Sequence, residues 1–331
     1  MSRRPVLVLG AGGFIGRRVV AALAASGWVP IAASRHIDRM VLPEAAERVR
    51  VDATDARALA PLVEAAAAVV SCIAGADQHI EPGGRALLEV SARVRAPPRV
   101  VYLSSMAVYG TASGVVDEDS PLAGDLGAYG AAKAAVDRAA AQFPFVVRLR
   151  PGIVYGPGSP WWSDRIARLL VRRRLGDLGS AGVGLCNLVH VEDVAVAVLR
   201  SLQTAAAGGE AINLGSPDPP TWNEYFRAYA RALRAEPVRR ITAAALRREV
   251  MLYGPALRLA ELALGRRNPW RARPALRPWL VRLCRHDQRM LVGKAERILG
   301  MRWTPLDVGL SETASWFLGD ARHIADRTPA R

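Results

Sequence analysis

Short apolar runs alternate with alanine-rich stretches through the first half of the chain. Residues 5–9 (PVLVL), 28–34 (WVPIAAS), 48–52 (RVRVD), 67–74 (AAVVSCIA), 99–104 (RVVYLS) and 145–149 (FVVRL) read as strands. The segments between them read as helices: one running to Ser26, then 55–66, 84–95 and 128–142, the last closed by Pro144. Strands that are apolar at consecutive positions are covered on both faces, so the pattern predicts a parallel sheet between two helical layers. After Gly156 the texture changes. A basic amphipathic helix is predicted over 164–175, strands at 185–190 and 211–214, and helices at 192–203 and 221–234. The stretch 241–300, rich in Leu, Arg and Trp, predicts helices broken by prolines. The expected division is a sheet domain over 1–155, rejoined by 185–215, and a smaller, mainly helical substrate lobe over 156–331.

With 331 residues, 51% hydrophobic and 23% charged, the chain can bury a core and is not of disordered composition. Its longest apolar candidate, Ala65 to Ala76, falls short of the roughly 18 residues a membrane span needs. The apolar run near the N-terminus, Val6 to Leu9, is cut by glycines and reads as a strand, so the expected location is cytoplasmic. Three scattered cysteines (Cys72, Cys186, Cys284), without CxxC, argue against a disulfide framework, and no zinc-ligand spacing is present. The net charge of +15 is uneven, with 18 basic and 5 acidic residues between 231 and 303. Such a region attracts anions: a phosphorylated substrate or a membrane surface. Peripheral membrane contact through 241–300 is therefore an expectation, as is a homodimer. Nucleic-acid binding is not expected, since charge is unaccompanied by a recognition motif. Only two of the 45 basic residues are lysines, Lys133 and Lys294.

Gly10, Gly13 and Gly16 form GxxGxxG between the first strand and the first helix. The first glycine permits a tight turn, the second lets a pyrophosphate approach the backbone, and the third lets the helix pack on the strand. The helix N-terminus offers N–H groups and partial positive charge to phosphate. Phe14 and Ile15, within the same turn, join the expected cofactor contacts. The second strand ends at Ser34 and Arg35, where a dinucleotide presents its adenosine ribose; arginine there suits a 2′-phosphate, so NADP(H) is expected over NAD(H).

Tyr129 and Lys133 form YxxxK, on one face of the helix predicted over 128–142. A phenol titrates near 10, and an adjacent ammonium favours its phenolate. Tyr129 can then exchange a proton with an alcohol or carbonyl while hydride moves at a nicotinamide. In a chain that uses arginine almost everywhere, one of two lysines stands four residues after this tyrosine.

GxxGxxG, SSMAVYG (Ser104 to Gly110), YxxxK, RPGIVYGPG (Arg150 to Gly158), HVEDVA (His190 to Ala195) and INLG (Ile212 to Gly215) together resemble the extended short-chain dehydrogenase/reductase, or NAD-dependent epimerase/dehydratase, family. The resemblance is good over about 5–235 and weak beyond. It implies a Rossmann-type doubly wound α/β fold and a catalytic set of Ser105, Tyr129 and Lys133. It also implies cofactor contacts at Asp52 and Ala53 after the third strand, at Ile73, Ala74 and Gly75 after the fourth, and at Pro151 and Val154 on the nicotinamide side. Tyr129 and Lys133 contact the cofactor too. Two positions depart from the pattern. Ile80 stands where the family often has asparagine, and Met106–Ala107 replace the Asp-Glu pair of its 4,6-dehydratases. The expected function is an oxidoreductase moving hydride between a nicotinamide and a carbonyl or alcohol carbon of a small, hydrophobic, ring-containing substrate. A nucleotide-sugar epimerase with retained cofactor and a non-catalytic dinucleotide-binding sensor or scaffold are the alternatives.

Overall fold

The computed structural model describes residues 4–75, 77–257, 259 and 275–325. Trp270 and much of the basic segment around it lie outside the described residues. The chain divides into two compact units. Unit 1 comprises Met1–Val154, Val189–Pro217 and Met290–Trp303; unit 2 comprises Tyr155–Leu188, Asp218–Arg289 and Thr304–Arg331. The segment 290–303, which the sequence pattern grouped with the lobe, thus belongs to unit 1.

The strands are β1 (Pro5–Leu9), β2 (Val29–Ser34), β3 (Glu47–Arg50), β4 (Ala68–Ser71), β5 (Arg99–Leu103), β6 (Gly114–Val116), β7 (Val146–Pro151), β8 (Ile153–Tyr155), β9 (Leu188–His190), β10 (Ala211–Leu214) and β11 (Gln288–Met290). Seven of them form one sheet in the order β10-β7-β5-β4-β1-β2-β3. Every pair in it is parallel, with Leu7 facing Ile31 on one side and Val69 on the other. The order reverses at β1, which lies between β2 and β4, and such a reversal opens a crevice at the carboxyl ends of the strands. This is a Rossmann-type α/β fold.

The consecutive apolar residues of β1 divide between two cores, as the sequence pattern requires. Val6 and Val8 join the layer of Val19, Val20 and Leu23 from α1 (Phe14–Ala25). Leu7 and Leu9 join the opposite layer, which takes Leu59 and Val63 from α2 (Ala56–Ala65), Leu87 from α3 (Ile80–Arg93) and Val136 from α4 (Ala128–Ala140). Each fully buried Val or Leu contributes roughly 1.5–3 kcal/mol through removal from water. Helix α3 starts four residues earlier than its pattern predicts. Proline costs little in a first turn, and Pro82 falls there.

Unit 2 contains α5 (Arg165–Val171) and α7 (Trp222–Ala232), separated in the chain by the unit 1 helix α6 (Val191–Gln203). Thr221 and Glu224 form a capping box at the start of α7, each side chain bonding the other's backbone N–H. Trp222, Tyr225, Phe226 and Tyr229 project from α7 into an aromatic cluster that includes Trp162, with ring centroids 5.6–6.1 Å apart. The remaining helices are α8 (Ala243–Arg248), α9 (Pro278–Arg285), α10 (Gly293–Leu299, in unit 1) and α11 (Leu306–Ala325). Among the described residues no helix is long and apolar enough to cross a membrane.

Candidate active site

The expected cofactor and catalytic residues all fall in unit 1: most follow the carboxyl ends of its parallel strands, while Phe14, Ile15 and Gly16 open α1 and Tyr129 and Lys133 lie on α4. Gly10 closes β1 with φ +73°, and its N–H donates to Ala33 O on β2 at 3.1 Å. That left-handed conformation suits glycine because no Cβ clashes. A Cβ on Gly16 would come within 2.2 Å of Gly10 O, so the third glycine is fixed by helix-to-strand packing. A Cβ on Gly13 would meet only Gly10 O, at 3.3 Å, so the space beside the second glycine is open within the protein. Helix α1 starts there with neither a side-chain cap nor an acidic residue in its first turn. An open backbone at an uncapped helix N-terminus fits a pyrophosphate. Phe14 and Ile15 turn their half-buried side chains onto the core, leaving backbone groups for the turn.

Ser34 ends β2, and its hydroxyl accepts from the His36 N–H at 3.3 Å. The next residue, Arg35, is exposed and bonds the His79 ring at 3.0 Å. Asp52 and Ala53 follow β3. The backbone N–H and the hydroxyl of Thr54 hold the Asp52 carboxyl below its ordinary pKa, with help from the charge of Arg35. Ile73, Ala74 and Gly75 follow β4, and Pro151 ends β7 with Val154 just beyond it.

Lys133 is 2% exposed. Its Nζ donates to Ile73 O at 2.9 Å and to Leu103 O at 2.6 Å, so the ammonium straddles the ends of β4 and β5. It also sits 5.0 Å from the Tyr102 ring centroid and 6.0 Å from that of Tyr129. Burial lowers its pKa to about 8, against the opposing influence of Cys72 and Asp137. Burial likewise pushes the neighbouring Cys72 thiol up to about 12, so it stays neutral. Tyr129 occupies the first turn of α4, one turn before Lys133, and is half-buried. Ser105 follows β5, and its Oγ accepts from the Ala107 N–H at 3.2 Å. One lone pair is thereby used, and the hydroxyl proton remains available to donate.

Behind these residues lies a buried polar network. Asp137, one turn beyond Lys133 on α4, accepts from Ser104 Oγ at 2.6 Å and from Arg150 Nε and Nη2 at 3.0 and 2.8 Å. Arg150 Nη1 donates to Tyr109 Oη at 3.0 Å and to Glu118 O at 2.9 Å. Tyr109 Oη donates to Asn213 Oδ1 at 2.6 Å. Burial alone would depress the Arg150 pKa, but the bonds and charge of Asp137 raise it above the ordinary arginine value. The network ties α4, which carries Tyr129 and Lys133, to the strand end that carries Ser105. The sequence reading did not include Asp137. Its signal was an acid at i+4 from Lys133, on the same helix face.

Residues 6–215 match the family model described as NAD dependent epimerase/dehydratase family. The chain belongs to that family. It is an enzyme of the extended short-chain dehydrogenase/reductase type, and the family uses a nicotinamide cofactor. Among curated relatives, a 3-diazoavenalumate denitrifying reductase from a Streptomyces species is 31% identical over 72% of this chain and 84% of that protein. A 2′-dehydrokanamycin reductase from Streptomyces kanamyceticus is 31% identical over 69% of this chain and 66% of that protein. Among solved structures, a UDP-glucuronic acid 4-epimerase from Bacillus cereus, in complex with NAD, has the same fold. It aligns with a TM-score of 0.71 at 19% identity, over 95% of this chain and 99% of that one. The epimerase/dehydratase family model ends at residue 215, so the later lobe segments lie outside the match.

Proposed function

We propose that the chain is an NADP(H)-dependent reductase acting on a hydrophobic, ring-containing ketone. The observation that carries this reading is the buried Lys133 ammonium, held at the crevice by two strand-end carbonyls beside the Tyr129 ring. Two of its three N–H donors are engaged, which leaves one for a cofactor ribose hydroxyl. The pyrophosphate belongs at Gly10, Gly13 and Gly16, with the adenine end at Asp52 and Ala53 and the 2′-phosphate at Ser34 and Arg35. Ile73, Ala74, Gly75, Pro151 and Val154 line the nicotinamide end. The bound cofactor supplies the hydride that reduces the carbonyl carbon.

Ser105 donates its hydroxyl proton to the substrate oxygen, the direction left open by its bond from Ala107. Tyr129 Oη gives the proton that turns the developing alkoxide into an alcohol. The positive charge of Lys133 stabilises the phenolate that remains until solvent reprotonates it. The choice of a hydrophobic ring rests on the Trp- and Leu-rich composition of the later part of the chain, which includes exposed aromatic surface within unit 2. Trp161 and Trp279 are 48% and 40% exposed and meet edge to face at 6.2 Å. The reductase names of the curated relatives also favour a cofactor released at each turnover over one retained.

The test is NADPH absorbance followed against a panel of aromatic, terpenoid and steroid ketones and of nucleotide sugars. The expected result is NADPH consumption equal to alcohol formed from a cyclic ketone. Interconversion of a nucleotide sugar with a steady cofactor signal would overturn the reductase reading. Arg35→Asp should move preference from NADPH toward NADH, and an unchanged ratio would remove Arg35 from the ribose contact.

A further inference from the structure

Unit 2 holds a hollow of about 500 Å³ whose lining includes Arg168, Arg172, Arg173 and Arg234 around an apolar floor with Leu233 and Phe317. That is a volume typical of small-molecule sites. Its one acidic lining residue, Glu236, is already engaged by Arg231 at 3.5 Å. Arg168 pairs with Asp164 at 3.3 Å, so the guanidinium groups that matter here are Arg173 and Arg234.

The backbone beneath two of these arginines is unusual. Helix α5 ends with Arg173 N–H donating to Leu170 O and Arg174 N–H to Leu169 O, at 2.8 and 2.9 Å. Helix α7 ends in the same way, with Arg234 N–H to Arg231 O and Ala235 N–H to Ala230 O, at 3.0 and 2.9 Å. Both are Schellman closures, whose left-handed position is usually glycine. Here those positions are Arg173 (φ 52°) and Arg234 (φ 55°), the only non-glycine residues with positive φ among the described residues. A side chain there carries a steric penalty that glycine avoids. Countering a helix C-terminal dipole does not require it, because an arginine in the last helical turn would serve. Both strained arginines line the same hollow, and neither has an ion-pair partner among the described residues. Arginine forks suit phosphate oxygens.

We propose that this hollow binds a phosphate monoester carrying an apolar group, with Arg173 and Arg234 gripping the phosphate. The proposal does not depend on the reductase reading, since all the lining residues are in unit 2 and the candidate catalytic residues are in unit 1.

The test uses the full chain at low ionic strength with saturating NADPH, which occupies the glycine turn. Calorimetric titration with hexyl phosphate tests a soluble ligand. Sedimentation with phosphatidylcholine vesicles, with and without phosphatidic acid, tests a lipid headgroup. The variants are Arg173→Gly/Arg234→Gly and Arg173→Asn/Arg234→Asn, because glycine and asparagine both tolerate the left-handed backbone. Binding of hexyl phosphate or of phosphatidic acid vesicles, weakened at least about tenfold in both variants, supports the site and identifies the source. The glycine variant should melt no lower than the parent, and its NADPH affinity should be unchanged. Absence of binding in both arms, or equal binding by parent and variants, overturns the proposal. Failure of NADPH to bind would count against the reductase reading alone, and the comparison of parent with variants would still decide this one.

Discussion

In unit 1 two large buried charged side chains, Arg150 and Lys133, are matched by carboxylate and carbonyl acceptors, Lys133 among the candidate catalytic groups and Arg150 in the network behind them. In unit 2 the large buried side chains of α7 are aromatic, and several of its arginines line an open hollow. The contrast separates two uses of charge. A buried ion pair has lost its hydration and is stable only while both partners remain, so it fixes geometry. An arginine at a rim keeps most of its hydration and can exchange water for a ligand. Unit 1 pairs its buried charges internally, whereas the binding site proposed for unit 2 would pair its arginines with a ligand.

The sharpest way to break this contrast is at the reacting groups. Tyr129→Phe should cut turnover by roughly 10²–10⁴-fold while cofactor affinity, measured by fluorescence titration, holds. Near-normal turnover would remove the phenol from the mechanism. Next comes the ion pair. Arg150→Met leaves the buried Asp137 carboxylate with only Ser104 and a longer contact to Arg148, at 3.4 Å, and should cost up to roughly 3–5 kcal/mol in urea unfolding. Arg150→Met with Asp137→Leu should recover much of that loss, and a double variant as unstable as the single one would contradict the account.

A smaller effect is expected from pH. The folded Lys133 pKa, about 8, lies below the ordinary lysine value of 10.5. The ammonium is therefore complete below pH 8 and lost as pH rises through it, so kcat/KM for reduction should fall about tenfold per unit above that point. The unfolded chain binds the extra proton between these two values, so the stability contribution of this group improves with rising pH over that window. Opposite movement of activity and stability there would mark Lys133 as the titrating group; a parallel decline would exclude it. The smallest effect belongs to unit 2, where Thr221→Ala should cost about 1 kcal/mol through loss of the cap on α7.

Much of unit 1 could be read in advance because its signals are local. The runs of β1, β4 and β5 are apolar at consecutive positions, GxxGxxG is a turn between a strand and a helix, and YxxxK is one helical turn. The pairing of Asp137 with Arg150, the first residue of the RPGIVYGPG landmark, is not legible in the sequence because it is not local. The two residues lie 13 positions apart on different elements, and only the docking of α4 against β7 makes them partners. The side of the division to which 290–303 belongs is illegible for a related reason. Met290, Val292, Ala295 and Leu299 are an apolar pattern that says a core is needed, not which one. In unit 2 the hollow depends on two helix ends coming together, and arginines at left-handed positions look like any others in so basic a sequence.

The ends of β4 and β5 also bear on why this protein keeps lysine at all. Two carbonyl oxygens converge on one small ammonium at Lys133 Nζ. The planar guanidinium of arginine is too broad to occupy that point. In a chain with only two lysines among its 45 basic residues, position 133 is one where the shape of the cation, and not its charge alone, decides which residue can stand there.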